Sequence, residues 1–356
     1  MKGYFYVSML CFILLTGCSR DASELTVVTG IGVDGFPGDY QIDAEVLQLS
    51  DSEKSNKSVL LQMDGSTLSD GIDRMVTLTG RTLYCNHTQV LVISRKTAEA
   101  GLASLLGELL CDTQYPVSLR VAISKDSAAQ IMGAKPVVSD IHSVELENIL
   151  KESAAENLSS DPNISTVYEE ISTPGKEAVL PFLELHENNG EQVCRLMGAA
   201  LFQNDKMLTV LEQEESRCLM WMRGQAGGTL TAGQQLLEVI DLKSKITAHP
   251  NGAVLHLELG LKSGAGEDHR EELMKAAEES LQNQCETLLK ILQDYGCDAV
   301  GFGQKLCQTY PECRSMVELY WRQRFPTYPV WIEIDVKNIT WGRVWTENAE
   351  GDDHEF

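Results

Sequence analysis

Cations are scarce in this chain. Its 356 residues hold 29 Lys and Arg against 52 Asp and Glu, a formal charge of −23. A surface with that balance repels phosphate, which argues against binding nucleic acid or anionic lipid headgroups through basic patches. Long apolar runs are nearly missing too. Beyond the first fifteen residues none approaches the roughly 20 needed to cross a bilayer as a helix. The common metal and nucleophile patterns are also lacking. There is no H-E-x-x-H, C-x-x-C, G-x-S-x-G or Ser-x-x-Lys, and no two histidines stand three to five residues apart. Nothing here marks an active site, a metal centre or a cofactor cradle.

What is present begins at the N-terminus, MKGYFYVSMLCFILLTGCSR. Lys2 supplies a positive start, Tyr4 to Leu15 an apolar stretch too short to span a bilayer, and Leu15-Thr16-Gly17 small residues ahead of Cys18. This is a lipoprotein signal: residues 1–17 are expected to be removed, and the Cys18 thiol to carry a diacylglyceryl group. The charge excess stays acidic after removal, so membrane attachment has to rest on lipid, and two or more acyl chains hold stably where one is marginal. The other cysteines beyond the signal are Cys85, Cys111, Cys194, Cys218, Cys285, Cys297, Cys307 and Cys313. Most sit in apolar periodic runs, so free, partly buried thiols are expected rather than a full disulfide framework.

Strand and helix signals alternate along the rest. Leu25 to Val33 and Tyr40 to Leu49 read as strands joined by the turn Asp34 to Asp39; in the second, Ile42, Ala44 and Val46 alternate with Gln41, Asp43 and Glu45, the period of a half-buried strand. Thr67 caps a helix that Gly80 stops. Further helices are expected over 98–110, after an Asp126 cap, over 139–158 and near 166–171. Asn188-Asn189-Gly190 joins two strands as a hairpin, Glu212 to Glu215 open a short helix, and the Gly-rich run 224–233 is expected to be a flexible link. A hairpin around Asn251-Gly252, a long helix over 268–295, two shorter helices and an alternating strand from Val330 follow.

The pattern predicts a mixed α/β, or α+β, protein, and its length allows two or three domains. The expected divisions are a signal over 1–17, an N-terminal region over 18–190 divisible near 125–140, a C-terminal domain over 191–345, and a disordered acidic tail over 346–356. Gly30-Ile31-Gly32-Val33-Asp34-Gly35 matches G-x-G-x-x-G, but a strand follows where a dinucleotide site needs a helix, so the glycines are read as easing a hairpin. Gly301-Phe302-Gly303 is read as admitting a close helix crossing. Aromatics gather over 310–345, four of the five tryptophans among them; most belong to a core, and some could form a docking surface.

These residues resemble a known family. The lipobox followed by Glu24-Leu25, Val28 and Gly30-Ile31-Gly32-Val33-Asp34 is similar to the start of the Ger(x)C spore-germination lipoproteins. Arg81-Thr82-Leu83, His87 with Val90-Leu91-Val92-Ile93, Leu119 to Ile123, and Met197 to Phe202 with Asp205-Lys206 continue the likeness. Its most specific part is Asp298, Gly301-Phe302-Gly303, Tyr310-Pro311, Trp321, Phe325-Pro326 and Gly342. The resemblance implies the C subunit of a nutrient germinant receptor, an ectodomain of three domains, each a small sheet packed by helices, on the outer face of the spore inner membrane. It would stand beside A-type and B-type membrane subunits, with no enzymatic activity and no cofactor. Gly301, Gly303, Tyr310, Pro311, Trp321, Phe325 and Pro326 are the residues expected to serve partner contact or domain packing. A rival reading is a lipid-anchored solute-binding protein of a nutrient transporter, which requires two lobes around a ligand cleft.

Overall fold

The computed structural model describes residues 25–48, 57–264 and 270–341. Cys18 and its signal, Gly342, Trp345 and the acidic tail lie outside these described residues.

Alternation sets the first strands. β1 (Leu25–Phe36) and β2 (Asp39–Gln48) pair antiparallel, with Ile31 opposite Ala44 and Val33 opposite Ile42. A bulge between Val28 and Gly30 adds one residue, so Val28, Ile31 and Val33 share a single core despite their uneven spacing. β3 (Lys57–Gly65) flanks β2, while β4 (Thr82–Tyr84) and β5 (Val90–Ser94) run parallel to β1. β6 (Arg120–Ser124) and β7 (Val179–Asn188) continue in parallel, and β8 (Glu191–Gln203) and β9 (Lys206–Glu212) turn antiparallel. β5 is buried at all its positions, as a central parallel strand covered on both faces must be.

Helices cover both faces. On one lie α1 (Leu68–Arg74), α2 (Val76–Thr79), α3 (Arg95–Ala100) and α4 (Ala103–Cys111). On the other lie α5 (Ala128–Met132) and α6 (His142–Ala155), and α7 (Ile164–Ser172) returns to the first. The single helix expected over 98–110 is two, because Gly101 breaks it at φ 129°, where an added Cβ would stand 2.6 Å from Asp205 Oδ2.

Three local readings change under α5 and α6. Asp126 does not cap α5. Asp34, from β1, accepts the Ala128 and Ala129 N–H groups at 3.0 Å each and the Ser127 hydroxyl at 3.0 Å. The Asp43 and Glu45 face of β2, expected to be wet, is buried, because Glu45 accepts the His142 and Ser143 N–H groups at the start of α6. Gly30 and Gly32 lie within β1 rather than at the turn. A Cβ on Gly30 would come 2.7 Å from the Ser143 Cβ, and one on Gly32 2.8 Å from the Met132 Cγ, so the two glycines let both helices settle onto the strand.

After β9, α8 (Gln213–Met222) starts from a capping box between Glu212 and Glu215. A second sheet of β10 (Thr229–Ala232), β11 (Gln235–His249), β12 (Gly252–Ser263) and β13 (Val330–Trp341) is antiparallel except for its last, parallel pair. The crossover between β12 and β13 carries α9 (Arg270–Asp294), α10 (Phe302–Thr309) and α11 (Arg314–Arg324). In α9 the buried Leu273, Ala277, Leu281, Cys285, Leu288 and Leu292 recur at three- and four-residue steps, the stripe by which a helix lies on a sheet. Its polar flank also reaches the outer strand: Glu278 Oε1 accepts the Val336 N–H at 3.1 Å, and Gln282 Nε2 donates to the Ile332 carbonyl at 3.1 Å.

The fold is of the expected mixed α+β class. Among the described residues its strands form two sheets, of nine and four, where three small ones were expected. The division expected at 190/191 falls in the turn of the β7–β8 hairpin, whose pairing runs from Val179 opposite Leu201 to Asn188 opposite Glu191. The change of sheet comes at Glu212. The Gly-rich run is held rather than flexible: Gly227 N–H donates to Val239 O, Trp221 Nε1 donates to Gly227 O, and Asn157 Nδ2 donates to the Gln225 and Gly227 carbonyls.

Candidate functional site at the domain junction

Where α9 ends, Gly296 takes φ 62° and the chain turns inward to Asp298. This fully buried carboxylate accepts N–H groups from Gly301 at 2.8 Å, Phe302 at 3.1 Å and Gly303 at 2.7 Å, and the Trp321 indole N–H at 2.9 Å. It thereby satisfies the orphan donors at the start of α10 and ties α10 to α11. Burial raises the Asp298 pKa above the ordinary carboxylate range, and the four donors oppose that rise.

Two glycines make room for this turn. Gly301 sits at φ 101°, which a side chain resists. A Cβ on Gly303 would stand 2.6 Å from the Trp321 ring and 2.8 Å from the Gly175 Cα. Gly175 belongs to the segment Thr173-Pro174-Gly175-Lys176-Glu177 between α7 and β7, which the first domain lays against the second. Its carbonyl accepts the Gln304 N–H at 2.8 Å, and Glu177 N–H donates to the Asp298 carbonyl at 3.0 Å.

Arg223, just past α8, clamps the same crossing. Nε donates to Ala299 O at 2.6 Å, Nη2 to Glu177 O at 2.8 Å and Nη1 to Glu170 Oε1 at 3.2 Å. Lys176 Nζ also meets Glu170, at 2.8 Å. Burial raises the Glu170 pKa, but Arg223 and Lys176 outweigh it and leave the carboxyl below its ordinary range. Glu177 has weaker support: Asn204 N–H at 2.7 Å and Arg322 at 3.6 Å. Burial therefore prevails and pushes its pKa up to about 7. Beside it opens a polar cleft of about 400 Å³, lined by Thr173, Glu177, Asn204, Leu319 and Arg322 among others.

The expected residues occupy distinct places. Gly301, Gly303, Trp321 and Phe325 are buried together; Phe325 stacks with Trp321 at 6.0 Å and with Phe302 at 6.1 Å between ring centres. Tyr328 closes this group edge-on against Trp321 at 4.9 Å. Tyr310 lies apart, half-buried against the His249 ring at 5.4 Å, and Pro311 and Pro326 are exposed. Tyr320 and Trp331 are exposed aromatics. Sequence reasoning missed Gly175, Glu177, Arg223 and Asn204. Thr173-Pro174-Gly175 directly follows the helix expected near 166–171, and nothing local announces that it meets α10.

A nine-stranded mixed sheet, a second sheet on a long helix, and a clamped segment between them define a two-domain α+β body. Among the described residues no group of three or more His, Cys, Asp or Glu side chains is placed to hold a metal ion, and no helix is long and apolar enough to cross a membrane. Residues 19–185 match the family model described as the spore germination protein N-terminal domain. Residues 197–341 match the one described as spore germination B3/GerAC-like, C-terminal. The chain belongs to this spore-germination family, the Ger(x)C proteins. Its fold is similar to that in a crystal structure of the GerBC protein, with a TM-score of 0.55 at 15% identity, over 88% of this chain and 96% of that one. Curated protein sequences gave no match.

Proposed function

We propose that this chain is a non-catalytic C subunit of a nutrient germinant receptor. It is held through a lipid on Cys18 to the outer face of the spore inner membrane and acts by contact with the A-type and B-type membrane subunits. The observation that carries this reading is the pair of matches to spore-germination models, which together span nearly all of the chain. A lipobox upstream supplies the tether, and an acidic body with little attraction for anionic headgroups leaves its surfaces available to proteins. The decisive experiment is recovery of the membrane subunits by pull-down from spores with and without the chain. Loss of receptor assembly in its absence supports the reading, and unchanged assembly together with unchanged nutrient response overturns it. For the anchor, Cys18→Ala should leave a full-length, unlipidated precursor by mass spectrometry; normal processing and membrane retention contradict the tether.

The junction cleft favours one second reading, a solute-binding protein, because it lies between two domains and is polar. Calorimetry against amino acids and sugars separates the two. Micromolar binding by the chain alone supports the rival.

A further inference from the structure

α8 and α9 meet through sulfur. Cys218 Sγ and Cys285 Sγ stand 3.5 Å apart, both buried, one on each helix. Among the described residues this is the one pair of thiols in hydrogen-bond contact; Cys297, by contrast, donates to the Phe202 carbonyl. A disulfide needs sulfurs about 2.05 Å apart, so closing this pair brings the two Sγ atoms roughly 1.5 Å nearer. Cys218 is only 1% exposed, so an oxidant reaches it by a local opening at the groove it lines. Cys218 lines a mostly apolar groove of about 260 Å³ with Asn283, Gln284, Thr287, Leu288 and Ile291, and Glu214 and Glu215 stand at its rim.

We propose that Cys218 and Cys285 form a reversible disulfide that locks α8 onto α9 in the core of the second domain. The oxidant is a small disulfide, entering by the groove. The Cys218 thiolate attacks one of its sulfurs and expels a small thiol. The Cys285 sulfur then attacks Cys218 Sγ, breaking the mixed bond and releasing the second small thiol. Two electrons pass to the small disulfide, and the two protein protons leave on the released thiols. The hydrogen bond to Cys285 and burial hold the Cys218 thiol protonated, so the first step is slow. The product closes a loop of 67 residues. α8 follows the change of sheet at Glu212, and Cys218 and Cys285 both belong to the core of the second domain, so the bond cross-links two helices of that domain. Such a bond persists only in an oxidising compartment, the kind of place an exported ectodomain occupies.

The test uses the full-length chain in detergent, equilibrated with oxidised glutathione and then alkylated under denaturing conditions. Mass spectrometry is expected to find one linked peptide pair, containing Cys218 and Cys285. The thermal midpoint is expected to rise by roughly 5–10 °C and to return with dithiothreitol. If both cysteines still take up the alkylating label at equilibrium, or the link joins other thiols, the proposal fails. Cys285→Ala, or Cys218→Ala should that fold better, is expected to abolish the rise. A rise that survives either substitution also overturns it.

Discussion

Asp298 exchanges water for four protein donors, one of them an indole. Trp321→Phe keeps the ring packing but removes that donor, and should cost about 1–2 kcal/mol in urea unfolding. Trp321→Ala also opens a cavity beside Phe325 and should cost about 3–5 kcal/mol. If the two variants are equally stable, ring packing contributes nothing beyond the hydrogen bond, contrary to the stacking with Phe325 and Tyr328. Glu177 gives a pH signature. Folded, it keeps its proton up to about pH 7; unfolded, it titrates near its ordinary value of 4.5. Folding takes up a proton in that window, so this group lowers stability as pH climbs from about 4.5 to about 7. Glu177→Gln should flatten the profile there and gain about 1–2 kcal/mol at pH 8, measured by denaturant unfolding at pH 5 and pH 8. A variant as pH-dependent as its parent would place the titration elsewhere. Gly301 and Gly303 stood out in the sequence as a closely spaced glycine pair, and Trp321 through the likeness to the family. Glu177 did not, because its environment is assembled from Asn204 and Arg322, distant in the chain.

At the level of elements, periodicity made α9 and β13 plain, since each buries one stripe or one face; β1 and β2 were legible as strands, but both of their faces are buried. The caps were less plain. α5 and α6 take carboxylates from neighbouring strands, and a cap 94 residues away, as Asp34 is from Ala128, has no local spacing to betray it. Asp34→Ala should therefore destabilise the first domain by about 1–2 kcal/mol, while Asp126→Ala should change it by less than about 0.5 kcal/mol. Equal effects in thermal unfolding would return the cap to Asp126. Gly32→Val should be worse than either, because its side chain would enter the space of Met132.

Across the whole molecule, the core of the second domain takes in Val179, Ala199, Leu201 and Leu211 from the large sheet, so the two domains share apolar packing rather than touching at a rim. Calorimetry should accordingly show one unfolding transition, and Arg223→Ala, which strips the clamp on the 173–177 segment, should broaden or split it. Two well-separated transitions in the parent would mean the shared packing is too weak to couple them. Class and element order were legible because local patterns carry them. Strand order and the seam at Glu212 were not, because which strand neighbours which is decided by long-range contacts.

The flank of α9 has one last consequence. With Glu278 and Gln282 occupying backbone groups of Val336 and Ile332, the outermost ribbon of the second sheet offers a newcomer only an interrupted row of free partners. Copies held at high local concentration can then crowd without zipping into fibrils.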